Sequence, residues 1–242
     1  MIEISEVVKR YGPTTAVNHV SLSVGAGEVY SLVGANGAGK STLIRSIVCI
    51  TVPDEGSIVV CGEDTRRHSV RAKRNIGYLP EELVLYERLT GREFLELVAG
   101  LKEADARYVR EELEFFELSA VADKWVGGYS LGMRKKLGLA AAMIGGPPVL
   151  VLDEPLNGLD VEMMRKLRRR IAEERDKGRT LLISSHVMDF VERTSDRVGV
   201  MSAGRLVSEG SPRELREQTK IYDAPFEDVF FSLAEGAAVA AA

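Results

Sequence analysis

One nine-residue stretch, Gly34-Ala35-Asn36-Gly37-Ala38-Gly39-Lys40-Ser41-Thr42, limits what this chain can fold into more than any other. Before it, Glu28 to Val33 (EVYSLV) reads as a buried strand, and after it Leu43 to Ile50 is competent to form a helix. Glycines at such a strand-to-helix turn remove side chains, so backbone N–H groups face outward, and the helix adds the positive end of its dipole. The order Gly34-x-x-x-x-Gly39-Lys40-Ser41 fits the phosphate-cradling pattern, which average composition produces by chance on the order of 1% of the time at this length. Gly37 and Gly39 clear the approach for phosphate oxygens. Lys40 supplies a point charge to the β- and γ-phosphates, and the Ser41 hydroxyl is a ligand for Mg²⁺.

Around this loop the chain changes character several times. Ile2, Ile4, Val7 and Val8, then Val17, Val20, Leu22 and Val24, alternate as in an antiparallel sheet with one buried face. A further strand pair is expected near Ser57–Val60 and Ile76–Leu79, after the break at Pro53, Asp54 and Gly56. From about 82 to 144 the spacing turns helical: Phe94, Leu95, Val98 and Leu101 share one face, and Val109, Leu113 and Phe116 another. Strand and helix then alternate: strand Val149–Asp153, helix 161–177, strand Thr180–Ser184, helix 187–193, strand Arg197–Met201. Continuous apolar strands between helices make a buried parallel sheet. The end, Glu235 to Ala242, is expected to fray.

The apolar strand Val149–Leu152 runs into Asp153-Glu154. A carboxylate at a strand end suits Mg²⁺ held through water, and a second suits the orientation of an attacking water. A helix N-cap accounts for an isolated acidic pair equally well, but beside a phosphate loop the site is the better reading. Strand alternation sends the two side chains to opposite faces.

With these residues in this order, the chain resembles the ATP-binding cassette (ABC) ATPases over nearly its whole length. Tyr11 stands where that family stacks an aromatic ring on adenine, and Val17 where it has an apolar neighbour. Tyr129-Ser130-Leu131-Gly132-Met133 occupies the signature position, Asn157-Gly158-Leu159-Asp160 the dimer-interface loop, and His186 the switch histidine. The resemblance implies an α/β fold: a P-loop NTPase core with a mostly parallel sheet, an N-terminal antiparallel β-subdomain and an inserted helical subdomain. It implies a single domain, with residues 1–81 and 145–220 as core, 82–144 as the helical part and 221–242 as a C-terminal tail. ATP and Mg²⁺ are the implied ligands. Residues 34–42, Tyr11, Val17, Ser130, Gly132 and Asp160 would bind nucleotide; Ser41, Glu81 and Asp153 would serve the metal; Glu154 and His186 would carry hydrolysis.

Three departures from the family pattern stand out. Glu81 replaces the usual glutamine of the metal-contacting loop, where an acid still offers oxygen to Mg²⁺. The signature has Tyr129, Leu131 and Met133, and Val161 follows Asp160 where proline is frequent. These variants, with the run Leu79 to Thr90, look like the ABC-2 type exporter branch, and the family resemblance implies that the chain pairs head to tail with a second copy of itself, or with a homologous ATPase, around two ATP molecules. Without any run of about 18 apolar residues the chain does not span a membrane by itself. The resemblance therefore implies a transmembrane permease on a separate chain, and a place on the cytoplasmic face of the cell membrane. The loop Glu82–Thr90, with Leu83, Val84, Leu85 and Tyr86, is the candidate contact with it; internal packing explains the same residues equally well.

Composition narrows the alternatives. With 28% charged and 45% hydrophobic residues the chain is no disordered polymer. Lys and Arg total 32 against 36 Asp and Glu, a net charge of −4 that argues against nucleic acid as a partner. The basic run Arg165 to Arg170 reads as a solvated helix face. A soluble cassette acting on ribosomes or DNA would carry a second motif set or sustained heptads, and neither occurs. A small-molecule kinase would not need the signature or the switch histidine. Met1 to Ser5 lacks the features of a signal peptide, and Cys49 and Cys61 are expected to be buried, reduced thiols.

Overall fold

A computed structural model of the chain describes residues 1–240, with side chains through Gly236. In chain order the elements are β1 (Ile2–Tyr11), β2 (Thr14–Val24), β3 (Val29–Gly34), α1 (Lys40–Ile47), β4 (Glu55–Val60), β5 (Glu63–Asp64), α2 (Ser69–Arg74) and β6 (Ile76–Leu79). Three helices follow: α3 (Gly91–Leu101), α4 (Arg107–Phe115) and α5 (Leu131–Met143). The chain closes with β7 (Val149–Asp153), α6 (Val161–Asp176), β8 (Thr180–Ser184), α7 (Met188–Thr194), β9 (Arg197–Ser202), β10 (Arg205–Gly210), α8 (Pro212–Thr219) and α9 (Phe226–Ala240).

Two sheets organise these elements. The first is antiparallel, in the order β2-β1-β4-β5; the second runs β10-β9-β3-β8-β7-β6, parallel except for the β9–β10 hairpin. This is the expected α/β architecture, with the helices α3 to α5 inserted between β6 and β7. The segments at 57–60 and 76–79 do not pair with each other. β4 joins β1 in the antiparallel sheet and β6 joins β7 in the parallel one. Neighbouring strands in sequence are separated here because α2 carries the chain from one sheet to the other.

Alternation along the strands divides the core. Val149 and Val151 of β7, Leu182 of β8 and Tyr30 and Leu32 of β3 pack toward α1 and the antiparallel sheet. Leu150, Leu152, Leu181 and Ile183 face the other way, toward α6 and the inserted helices. Both faces of the central strands are thus buried, which explains why their sequences are continuously apolar. Within the insertion Leu95, Val109, Leu113 and Phe116 are buried as the helical spacing predicts. Leu101, by contrast, is 75% exposed, because α3 ends there.

Two expectations change. Cys49 and Cys61 are free but only half-buried, each in a left-handed turn just after α1 or β4. Residues 221–236 of the C-terminal segment are more than a tail. Phe226, Val229 and Phe230 of α9 form a third core with Val33, Val191, Val198, Val200 and Leu215. Arg216 fixes the approach to this helix by donating to the carbonyls of Ile221, Tyr222 and Ala224. α9 continues to Ala240, and of the stretch expected to fray, Ala241 and Ala242 lie outside the described residues.

Phe226 is 3% exposed. Phe226→Ala therefore removes about 3–5 kcal/mol of stability, read as a fall in the urea midpoint at unchanged slope.

Candidate active site

The cavity lies at the C-terminal edge of the parallel sheet. It has a volume of about 420 Å³ and is lined by Ala16, residues 36–42, Glu81, Asp153 and Glu154. In an open α/β sheet this edge is where strand ends and helix starts leave a crevice.

The floor is the glycine-rich loop between β3 and α1. Gly37 and Gly39 have φ of 80° and 101°, in the left-handed region that favours glycine. Among the described residues, chain neighbours aside, nothing lies within 4 Å of where a Cβ on Gly37 would be, so the loop is open on that side. A Cβ on Gly39 would collide with the carbonyl oxygen of Ala16. The loop is braced from outside: Gly204 N–H donates to the Ala38 carbonyl at 3.1 Å, and Asn18 N–H to the Gly204 carbonyl at 2.8 Å. Lys40 Nζ donates to the carbonyls of Gly34 at 2.6 Å and Ala35 at 3.2 Å. Burial pushes its ammonium below the ordinary lysine value, while Glu154, Asp153 and Glu81 pull it back up.

The acidic wall comes from β7. Asp153 is buried, and that burial raises its carboxyl above the usual aspartate range. Ser184, at the end of β8, donates its hydroxyl proton to Asp153 and accepts the backbone N–H of Glu154 at 3.0 Å. Glu154 does not continue the strand. Its φ of 48° is left-handed, so the chain turns there and both carboxylates face one cavity instead of opposite faces. Such a conformation costs a non-glycine residue about 1 kcal/mol or more. The second hydrogen bond from Glu154 N–H, to the Ser184 carbonyl at 3.2 Å, helps hold it. Glu154 Oε2 meets His186 Nδ1 at 2.8 Å, and the histidine itself is largely exposed at the cavity mouth.

The remaining sequence candidates are placed less uniformly. Val17 is fully buried among Val7, Val20 and Leu43 in the core. Strand alternation puts its neighbour Ala16 at the cavity instead, which corrects the assignment of Val17 to nucleotide contact. Tyr11 is half-exposed at the end of β1, outside the cavity lining, with Lys9 Nζ 5.5 Å from its ring centre. Ser130 caps α5 by accepting from Met133 N–H, and Asp160 caps α6 by accepting from Met163 N–H. Neither lines this chain's own cavity, nor does Gly132, which abuts Gly158: a Cβ on it would stand 2.9 Å from the Gly158 carbonyl. In the loop Glu82–Thr90, Leu83 and Leu85 pack inward on the helical core, whereas Val84 and Tyr86 are exposed. Internal packing thus accounts for Leu83 and Leu85 but not for Val84 and Tyr86.

Ser184 and Lys135 escaped the sequence reading. The signal for Ser184 is a hydroxyl closing an apolar strand two residues before His186. Lys135, buried on α5, carried no local signal.

The donors fit a polyphosphate with a hard cation. Ser41, Glu81 and Asp153 offer only oxygen, as Mg²⁺ requires. Among the described residues no three His, Cys, Asp or Glu side chains converge on a metal-sized point. A cation here would thus complete its shell with phosphate and water oxygens, which is how Mg²⁺ is usually held.

The profile of the ABC transporter family matches residues 17–157. A Nod factor export ATP-binding protein I of Burkholderia lata is 39% identical over 89% of this chain and 72% of its own length. The bacitracin transport ATP-binding protein BcrA of Enterococcus faecalis is 35% identical over 92% and 73%. A solved ATP-binding subunit of an ABC transporter superimposes with a TM-score of 0.91 at 30% identity, covering 96% of this chain and 99% of that one.

Ser184→Ala leaves Asp153 Oδ1 and the Glu154 N–H each short of a buried partner. It is expected to cost about 1–3 kcal/mol, visible as a lower thermal midpoint without nucleotide.

Proposed function

This chain belongs to the ABC transporter family, as an ATPase of the ATP-binding class, and from that premise we propose that it powers export through a separate transmembrane permease. The observation that carries the reading is the cavity itself: a glycine loop with Lys40, two strand-end carboxylates, and His186 hydrogen-bonded to one of them.

We assign the roles as follows. N–H groups of residues 36–42 and the Lys40 ammonium bind the β- and γ-phosphates of ATP. Ser41, Asp153 and Glu81 hold Mg²⁺. When bound, Mg²⁺ neutralises phosphate charge and orients the terminal phosphate. Glu154 accepts a proton from the attacking water, and His186 keeps the Glu154 carboxylate in place through the 2.8 Å contact. The half-exposed ring of Tyr11 offers a stacking face for adenine.

Ser130 and Gly132 sit outside their own chain's cavity, which supports a head-to-tail dimer in which each signature covers the other chain's nucleotide. The exposed Val84 and Tyr86 support contact with the permease. Their loop is tied to the signature segment: Val126 N–H donates to the Leu89 carbonyl, Gly127 N–H to that of Glu87, and Arg134 bridges Glu87, Gly127 and the Tyr129 carbonyl. A displacement of the loop therefore reaches Ser130 through backbone bonds. Among the described residues no helix is long and apolar enough to cross a membrane, in keeping with a permease supplied by another chain at the cytoplasmic face.

Glu154→Gln keeps shape but loses basicity. Hydrolysis, measured as phosphate release, is expected to fall at least about 10²-fold while ATP affinity is kept or rises. Lys40→Ala instead loses the affinity. A Glu154→Gln chain that turns over at the parent rate sinks the assignment of the base.

Dimerisation is expected when the Glu154→Gln chain is saturated with ATP, and Ser130→Arg in that background is expected to prevent it, with sedimentation velocity as the readout. A dimer that forms equally well with Arg at 130 would rule out the head-to-tail arrangement.

A further inference from the structure

α5 brings one more cation to this site. Lys135 is 5% exposed, and among the described residues its buried Nζ has no hydrogen-bond partner. An ammonium in that position carries a large desolvation cost and persists where a field of opposite charge offsets it. The packing of the helix shows which field that is. Gly138, one turn further along, approaches so closely that a Cβ on it would lie 2.7 Å from Leu83 and 2.9 Å from Leu79. Residues three apart share a helix face. The Lys135 face is therefore turned to the Leu79–Leu83 segment, at whose middle Glu81 stands. The three carboxylates that act on Lys40, namely Glu154, Asp153 and Glu81, are also the three that draw the Lys135 ammonium back up against its burial.

Resting on the nucleotide reading of the site, we infer that Lys135 is a positioning residue, a fixed internal cation that α5 holds behind the acidic wall and that sets how strongly ATP binding depends on Mg²⁺. Two lysines against three carboxylates leave one formal negative charge; without Lys135 there are two. The extra negative charge repels ATP that carries no metal, and it attracts Mg²⁺. Lys135 thus permits Glu81 to be an acid without making the empty site hostile to nucleotide. Because it rides on the helix that Ser130 caps, the same element that presents the signature also balances the charge at the metal side.

The test uses the full chain and a fluorescent N-methylanthraniloyl ATP, titrated in EDTA and then at fixed nucleotide against Mg²⁺. Lys135→Gln is expected to weaken metal-free binding about tenfold and to lower the half-saturating Mg²⁺ about tenfold. Glu81→Gln is expected to move both quantities the opposite way, and it leaves α5 untouched. Lys135→Met repeats the measurement if a buried amide disturbs the fold. A structural role alone would weaken both quantities together. That outcome, or a change under twofold in both, overturns the inference. Failure of the parent chain to bind the probe at all, with or without Mg²⁺, would instead overturn the nucleotide reading on which it rests.

Discussion

The site depends on the register of three parallel strands. Leu32 of β3 stands opposite Ser184 of β8, and Ser184 stands opposite Asp153 of β7. Three chain segments far apart in sequence thereby end at one level, and the glycine loop, the acid pair and His186 emerge side by side. What fixes that level is burial on both faces. A one-residue slip of β7 would exchange Val149 and Val151 with Leu150 and Leu152 between two differently shaped cores. Ser184 then converts strand register into side-chain geometry, because its hydroxyl joins the carboxylate of one acid to the backbone of the next.

The antiparallel sheet contributes to the same site from the other side. β2 carries the Ala16 carbonyl up to Gly39, and the β9–β10 turn carries Gly204 to the Ala38 carbonyl. The loop is held by backbone contacts on both flanks and left open at Gly37. Within the loop only Ala38 N–H, to the Ala35 carbonyl, and the Lys40 ammonium brace it among the described residues, so much of its rigidity comes from these neighbours. Glycine at 39 is therefore a packing requirement as much as a conformational one.

The loop was legible in the sequence because its chemistry is local: consecutive residues form it, with strand and helix on either side. The acid pair was legible too, since an apolar strand ending in carboxylates is a one-dimensional signal. What depended on the third dimension was not. The turn at Glu154 is held by Ser184 at the end of β8 and by His186 just beyond it, so period-two reasoning placed its side chain on the wrong face. Ala16 and Val17 are neighbours, and only the packing of β2 decides which of them reaches the cavity. β4 and β6 look alike as short apolar runs, yet they belong to different sheets. The aromatic residues of α9 were masked by the alanines after them. Lys135 reads as one more charge on a basic helix start; its burial, and the Glu117 ion pair that Lys136 makes instead, distinguish the two.

Two of the contacts by which the inserted helices meet the rest of the molecule are unlike in kind. At α5 the contact is apolar and close, centred on Gly138 against Leu79 and Leu83. At α4 it is ionic: Glu112 bonds Arg170 of α6 at 2.6 Å, and Arg170 also reaches Glu174 and lies over the Phe115 ring. Burial pushes the Glu112 carboxyl up to about 7, so this seam holds a charge at a cost. The insertion is thus held by a close apolar contact on one side and a costly ion pair on the other, and α5, which makes the apolar contact, also carries the buried Lys135 and is capped by Ser130.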